Sequence, residues 1–339
     1  MPVTLAQAQL NTQTDVDYAV IDNLRRYNWL FDRIVFDDTV VPGTGGGTLT
    51  YGYTRLTQAA PASFRALNTE YTPGQAQRQR FTADLKPLGG AFTIDRVLAN
   101  LGGAATNETT FQMQQVLVST RCRFNRELIL GDTAVDSLGF DGLSKALTGT
   151  TTEKTAGYSA GSADWTPATV NTQALANTRL DELDDWLSTI VPSHVGGGDQ
   201  GEPGALPPGE KAILGNTKSI TRVRALARWA SMYTSTKDDL GREVQKYGDW
   251  TLVDLGDRED GGSPIIPISG TGTTDLYAAT FGLDALHGAS PANHQLVQTW
   301  MPDYSTAGAV KTGEVEMGPV AMVLKNTKAC AVLRGVKVQ

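Results

Sequence analysis

Read for the alternation of apolar and polar positions, the chain opens on a helical pattern. Between residues 4 and 36, Val20, Leu24, Tyr27 and Phe31 recur at spacings of three and four. The pattern stops at DDTVVPGTGGGTLT, where Pro42 and the glycines behind it break any helix. An amphipathic arm with no sequence-adjacent helix to cover its stripe has to lie on the body of the protein or on a neighbouring subunit. The period then changes to two. TLTYGYTR, 48–55, alternates as a strand does, QRFTADLK, 79–86, reads as its return, and Pro73 and Gly74 supply turn chemistry between them. A two-stranded ribbon is marginal by itself, so this excursion needs something to rest on.

A compact apolar run, GGAFTIDR at 89–96, follows the excursion. Next, TNETTFQMQQVLVSTRCRFNRELIL, 106–130, predicts a helix of about 25 residues, roughly 37 Å long at 1.5 Å per residue. Thr106 or Asn107 can cap its start, Gly131 stands where helices commonly end, and Met113, Leu117, Phe124 and Leu128 form one face. Residues 132–172 are rich in Gly, Ser and Thr and read as a surface crossing between lobes. In TQALANTRLDELDDWLSTIV, Leu180, Leu183, Leu187 and Ile190 repeat at helical spacing, with Asp181, Glu182, Asp184 and Asp185 on the other side. GGGDQGEPGALPPGE is a loop by composition, and AILGNTKSITRVRALARWASM reads as strand, turn and helix, the helix bearing Lys218, Arg222, Arg224 and Arg228. SPIIPIS, DLYAATFG and GPVAMVLKNTKACAVLRGVKV predict strands. Helices and strands mix without regular βαβ alternation, which predicts an α+β fold.

Composition narrows the function classes. A chain of 339 residues can bury one large core or two moderate ones, and 36 Gly with 15 Pro demand many turns. The net charge of −7 lacks the basic footprint of a nucleic-acid reader, although local basic patches are compatible with it. Two cysteines, Cys122 in a helical pattern and Cys330 in an apolar run, read as buried thiols and not as a disulfide framework. The N-terminus lacks the basic and apolar regions of a signal peptide, and no window reaches the roughly 18 apolar residues of a membrane span, so synthesis in the cytosol is expected.

Catalytic chemistry is hard to place on this sequence. PGTGGGT has no following G-K-[ST] and no preceding strand, so a phosphate cradle is not expected there. His194, His287 and His294 are scattered and read as surface or loop histidines. No G-x-S-x-G elbow occurs, and the DELDD cluster reads as a solvated helix face because its charges oppose a leucine stripe. The basic positions 218–228 can touch nucleic acid or pair with the acidic positions 181–185, within one subunit or between subunits. Arg55, Arg65, Arg78 and Arg80 on the excursion pose the same choice, and on a ribbon that must rest on a partner they read as interface contacts.

The order of these parts resembles the HK97-fold major capsid proteins of tailed bacteriophages. The segments that carry the resemblance are TEYTPGQAQ…DLKPLGGAFTIDR, the long helix after it, FDGLSKAL, and AILGNTKSITRVRALAR. The resemblance implies an N-terminal arm at 1–47 and an extended loop (E-loop) at 48–88. It implies a peripheral domain at 89–150 and 285–322, with the long helix as its spine, and an axial domain at 151–284 and 323–339. It implies no enzyme activity and no cofactor, catalytic residue or metal. Function then resides in surfaces: hexamers and pentamers closing an icosahedral shell in a virion around double-stranded DNA held by non-specific contact. A scaffolding protein, a portal and a decoration protein are the expected partners, and no membrane. Because the arm begins almost at Met1, the scaffold is expected to be a separate protein. Arg55, Arg65, Glu70, Arg78, Arg80 and Lys86 are the expected intersubunit contacts. An encapsulin-like compartment is the alternative within the same fold, and a soluble hydrolase using scattered carboxylates the alternative outside it.

Overall fold

The computed structural model describes residues 25–26, 29–40, 49–99, 108–190, 210–229, 234–237, 243–292 and 295–339. Val20, Leu24 and Tyr27 of the arm, the glycines after Pro42, the Thr106/Asn107 cap, the loop at 196–209, His194 and His294 lie outside them. The described part of the arm holds a short helix, α1 (Trp29–Arg33), and then a strand, β1 (Phe36–Val40), where helical periodicity predicted a helix to residue 36. The strand wins because Phe36–Val40 pairs in parallel with β11 (Leu286–Pro291). A tertiary ladder overrides local period.

Two sheets form the body. The first runs β1, β11, β13 (Val310–Leu324), β12 (Val297–Trp300), with β4 (Lys86–Asp95) along the other edge of β13. The apolar GGAFTIDR run is thus a strand, paired antiparallel from Val310↔Asp95 to Met317↔Leu88. A helix, α2 (Arg96–Ala99), follows it, and the spine helix α3 (Glu108–Leu130) packs on this sheet. The spine buries Phe124, Leu128 and Ile129 completely, whereas Met113 and Leu117 are only half-buried. The predicted stripe therefore holds for the C-terminal half of the helix alone.

The second sheet has seven strands in the order β5 (Glu153–Thr155), β14 (Cys330–Lys337), β10 (Thr273–Thr280), β6 (Lys211–Gly215), β9 (Trp250–Asp254), β8 (Glu243–Tyr247), β7 (Thr234–Lys237). Its central strands are covered on both faces, which is why they read as unbroken apolar runs. Leu276, Ala278, Ala331 and Leu333 point toward α5 (Gln173–Ser188) and α6 (Thr217–Trp229), while Tyr277, Ala279, Cys330 and Val332 join Phe124, Leu128 and the helix α4 (Leu143–Leu147). Both cysteines are buried, and neither forms a disulfide among the described residues. Burial pushes the Cys330 thiol up to about 12.

Two expectations change in this lobe, and a third loses its within-chain form. Glu182 is fully buried instead of solvated, its carboxylate accepting from the Gly157 amide, while Asp181, Asp184 and Asp185 are exposed. No ion pair joins the basic positions of α6 to the acidic ones of α5 among the described residues; Arg222 donates instead to the Val338 carbonyl at 3.1 Å. SPIIPIS is irregular, with one bridge, Asp257↔Pro264, and Ile265 and Ile266 sunk into the core.

Polar ties join the lobes. Glu259 accepts from Arg126 at 2.6 Å and from Arg123 at 3.2 Å on the spine. Arg334 of β14 reaches Glu153 at 2.5 Å, Asp275 at 3.1 Å and the Ser144 hydroxyl at 2.9 Å. Arg25 donates to Asp254 at 2.8 Å while Arg26 donates to Gln115 at 2.6 Å, so two adjacent arm residues hold the second sheet and the spine.

Candidate assembly interface

One element leaves this body. Strands β2 (Thr50–Gln58) and β3 (Gln77–Asp84) pair antiparallel from Thr50↔Asp84 to Gln58↔Gln77, and form a sheet of their own. Alternation gives the ribbon two faces. Tyr51, Tyr53, Arg55, Phe81 and Ala83 point to the body, and Thr54, Leu56, Arg78 and Arg80 point away. Only the root is seated: every residue from 56 to 80 is exposed.

The root is built from aromatic and charged groups. Tyr51 is buried, donates its hydroxyl to Asp37 at 2.7 Å, and meets the His287 ring edge-on. The Lys325 ammonium lies 5.6 Å from the Tyr51 ring centroid and 3.9 Å from the Asp37 carboxylate. Tyr53 stacks on Phe81 at 5.9 Å, and the Arg55 guanidinium lies 4.3 Å from the Phe81 centroid. Arg55 also donates to the carbonyls of Leu324 and Lys325, where β13 ends. Burial raises the Tyr53 phenol above its usual range, against the lowering influence of Arg55. His287 was expected on the surface. It is fully buried, and burial, reinforced by Lys325, pushes it down to about 4 against the opposite pull of Asp37 and Asp284.

The tip is ordered by short-range bonds. Thr69 returns its amide to Ala66 at 3.3 Å, Arg65 donates to the carbonyls of Ala66 and Thr69, and Asn68 takes a left-handed φ of 65°. A Cβ on Gly74 would sit 2.2 Å from the Pro61 ring, so the two legs close on each other here and require glycine. This held tip presents Phe64 at 105% exposure and Leu67 at 91%. Phe64, Leu67 and Tyr71 lie within eight residues of one tip, and an apolar surface gathered in this way is one that a partner can cover.

The six predicted contact residues fall into separate places. Arg55 is committed to its own chain at the root. Lys86 begins β4 and lines, with Arg55, Phe81 and Lys145, a cavity of about 630 Å³ beneath the ribbon. Arg65 lies over the Tyr71 ring at 5.3 Å, and Arg65 and Glu70 belong to the tip. Arg78 and Arg80 stand together on the outward face, both exposed. The apolar tip residues Phe64, Leu67 and Tyr71 were missed; the signal was three large apolar side chains within PASFRALNTEY, a stretch otherwise polar or small. Among the described residues no group of three His, Cys, Asp or Glu can hold a metal ion, and no helix is long and apolar enough to cross a membrane.

Neither a family model nor a curated protein matches this sequence. Solved structures do match the fold over the full chain. The encapsulin of the holo-SrpI complex from Synechococcus elongatus PCC 7942 aligns with a TM-score of 0.62 at 13% identity, covering 100% of this chain and 98% of its own. The capsid of a native GTA particle gives 0.56 at 13% identity over 97% of each chain. The capsid of Myoviridae phage XM1 gives 0.55 at 14% identity, over 98% of this chain and 99% of the other. The chain has the α+β HK97-like capsid fold.

Proposed function

We propose that this protein is the major capsid protein of a tailed bacteriophage, building hexamers and pentamers of an icosahedral shell around double-stranded DNA. The observation that carries the reading is the ribbon: residues 56–80 are ordered yet wholly exposed, tipped by Phe64 and Leu67, on a chain whose fold is that of shell subunits. Heterologous contacts of this kind, repeated with rotation, generate closed rings and shells. In this reading 1–47 is the N-terminal arm, 48–88 the extended loop, 89–150 with 285–322 the peripheral domain, and 151–284 with 323–339 the axial domain. That β13 ends in the first sheet and β14 begins in the second supports the last division. The protein acts structurally and not as a catalyst, in the virion after synthesis in the host cytoplasm, with a scaffolding protein and a portal as partners.

Electron microscopy of the expressed protein, alone and with the scaffolding protein of its gene neighbourhood, tests this. Rings or closed shells are expected, and a compact monomer at high concentration beside its scaffold overturns it. An encapsulin-like compartment is the second reading, favoured by the alignment with the SrpI encapsulin. Nuclease-protected DNA inside shells from infected cells separates a virion from a compartment that holds protein cargo.

A further inference from the structure

The acidic total of the chain hides one helix of the opposite sign. Helix α6, TKSITRVRALARW, carries Lys218, Arg222, Arg224 and Arg228 and no acid, a charge of +4 on a chain of −7, so the rest of the chain carries −11. Its inner face is apolar: Ile220, Val223, Leu226 and Ala227 are buried in the core beneath the second sheet and α5. Helical period leaves the four cations on the remaining arc, with Lys218 and Arg228 exposed and Arg222 and Arg224 half-buried at its flanks. From Lys218 to Arg228 the row runs about 15 Å at 1.5 Å per residue.

The chain's own acids do not neutralise this row. None of the four cations takes part in an ion pair among the described residues. The nearby carboxylates have other partners. Asp184 accepts from the Tyr247 hydroxyl and Asp185 from the Tyr158 hydroxyl, each at 2.7 Å, and Asp254, bonded to Thr217 at the head of α6, is held by Arg25 at 2.8 Å. Lys218 stands in the first turn, where the helix end is itself positive and an acid is the stabilising occupant; α6 has no acid there. Like charges gathered in this way repel one another until an outside anion neutralises them.

The length of the row selects the kind of anion. Duplex DNA carries one negative charge per about 1.7 Å of its axis, so a row of about 15 Å meets several phosphates at once. Arginine forks take phosphate oxygens two bonds at a time, and a lysine adds a point charge.

We propose that the outer face of α6 is the surface by which the subunit holds duplex DNA, with Lys218, Arg222, Arg224 and Arg228 set against the phosphate backbone and no base read. The proposal rests on the shell reading and assigns which cations of a net acidic chain meet the DNA. Four phosphate contacts give a slope of log K against log salt of roughly −3.6, so the grip loosens steeply as salt rises.

Fluorescence anisotropy of a short labelled DNA duplex of mixed sequence, titrated with full-length subunits kept dilute enough to stay unassembled, tests it. Lys218→Gln with Arg224→Gln and Arg228→Gln is expected to weaken binding at least about tenfold at low salt and to flatten the salt slope by roughly 0.9 for each cation removed. Thermal unfolding is expected to be unchanged, since Lys218 and Arg228 are exposed and Arg224 lies at the flank. Arg78→Gln with Arg80→Gln, which removes exposed cations from the ribbon instead, is expected to leave DNA binding as it is. Three results overturn the site: no binding by the unmodified protein, undiminished binding by the α6 variant, or an equal loss in the ribbon variant. Displacement of the duplex by polyglutamate at equal charge concentration also overturns it, in favour of an acidic protein partner. Electron microscopy of the same α6 variant keeps the two readings apart. Shells are expected from it as from the parent; shells lost only in the variant make α6 a contact between subunits and overturn the DNA site, whereas a parent that forms none overturns the shell reading.

Discussion

Tyr51 and His287 meet with ring centroids 5.7 Å apart and planes at 74°, the edge of one aromatic ring set against the face of the other at the root of the ribbon. Burial and the Lys325 ammonium favour the neutral imidazole of His287, against Asp37, a backbone hydrogen bond at Ala285 and Asp284. The cations and anions around it are Lys325, Asp37 and Asp284, with Tyr51 bonded to Asp37.

This makes the ribbon root sensitive to acid. A histidine held at about 4 in the folded chain, against 6.5 unfolded, contributes stability that is complete above 6.5 and declines as pH falls from 6.5 to 4. The full change is on the order of 3 kcal/mol. Urea unfolding of His287→Phe between pH 4 and 7 is expected to show a flatter pH profile than the parent. An identical slope in both proteins excludes His287 as its source.

Arg55 is the second anchor of the root, and its contribution is local. Arg55→Lys keeps the charge but loses the fork that bonds the carbonyls of Leu324 and Lys325 and the plane that stacks on Phe81. Hydrogen bonds from a charged donor are worth about 1.5–3 kcal/mol each, and one ammonium cannot replace the set. Hydrogen exchange at the amides of Tyr53 and Phe81 is expected to quicken, with the amides of β10 unaffected. Equal acceleration in both places shows Arg55 to be a global support instead.

The spine divides into a buried and a half-buried part. Leu128→Ala removes a fully buried side chain and is expected to cost about 2–5 kcal/mol, whereas Leu117→Ala, on the half-buried part, costs about 1 kcal/mol. Chemical unfolding of the two variants decides the order. A larger loss at Leu117 puts the working face of the helix elsewhere.

How much of this was legible follows from what each residue answers to. The ribbon strands, the spine and the closing strands were readable because alternation and 3.6-residue period are local, and turn residues such as Gly74 mark the breaks. The strand at Phe36–Val40 was not, since its partner Gly288 lies far along the chain. Glu182 and His287 misled for a related reason: a charged or titratable residue reads as solvated until the elements that bury it are in place. The candidate site was half visible. Arg78 and Arg80 stand out in the sequence by charge, whereas Phe64 and Leu67 read as ordinary apolar residues until the tip leaves both almost fully exposed.

Asn216 links the second sheet to α6 and offers a test of buried polar order. Its Oδ1 accepts from the Ser219 amide at 2.9 Å, and its Nδ2 donates to the Ile266 carbonyl at 3.0 Å and the Thr274 hydroxyl at 2.7 Å. Asn216→Ala loses a cap worth about 1 kcal/mol and strands the buried Ile266 acceptor at a further 1–3 kcal/mol or so. Asn216→Asp keeps the cap, but sets a carboxylate against that carbonyl. It is expected to melt no higher than the alanine variant at pH 7, and a melting point near the parent's would show that the cap alone matters.

The ribbon tip separates stability from assembly most cleanly. Phe64 and Leu67 touch nothing that folding of the subunit requires, since both are essentially fully exposed on a turn closed by Arg65 and Thr69. Phe64→Ser with Leu67→Ser is therefore expected to leave subunit stability within about 0.5 kcal/mol and to improve its solubility. In a shell the same groups become anchors, and truncating a buried aromatic anchor costs about 2 kcal/mol or more at each contact. That cost recurs at every copy, so sedimentation of assembly mixtures is expected to show subunits or small rings in place of shells. A variant that closes shells at the parent's yield would confine the ribbon's contact to its charged strands and leave the apolar tip without a role in assembly.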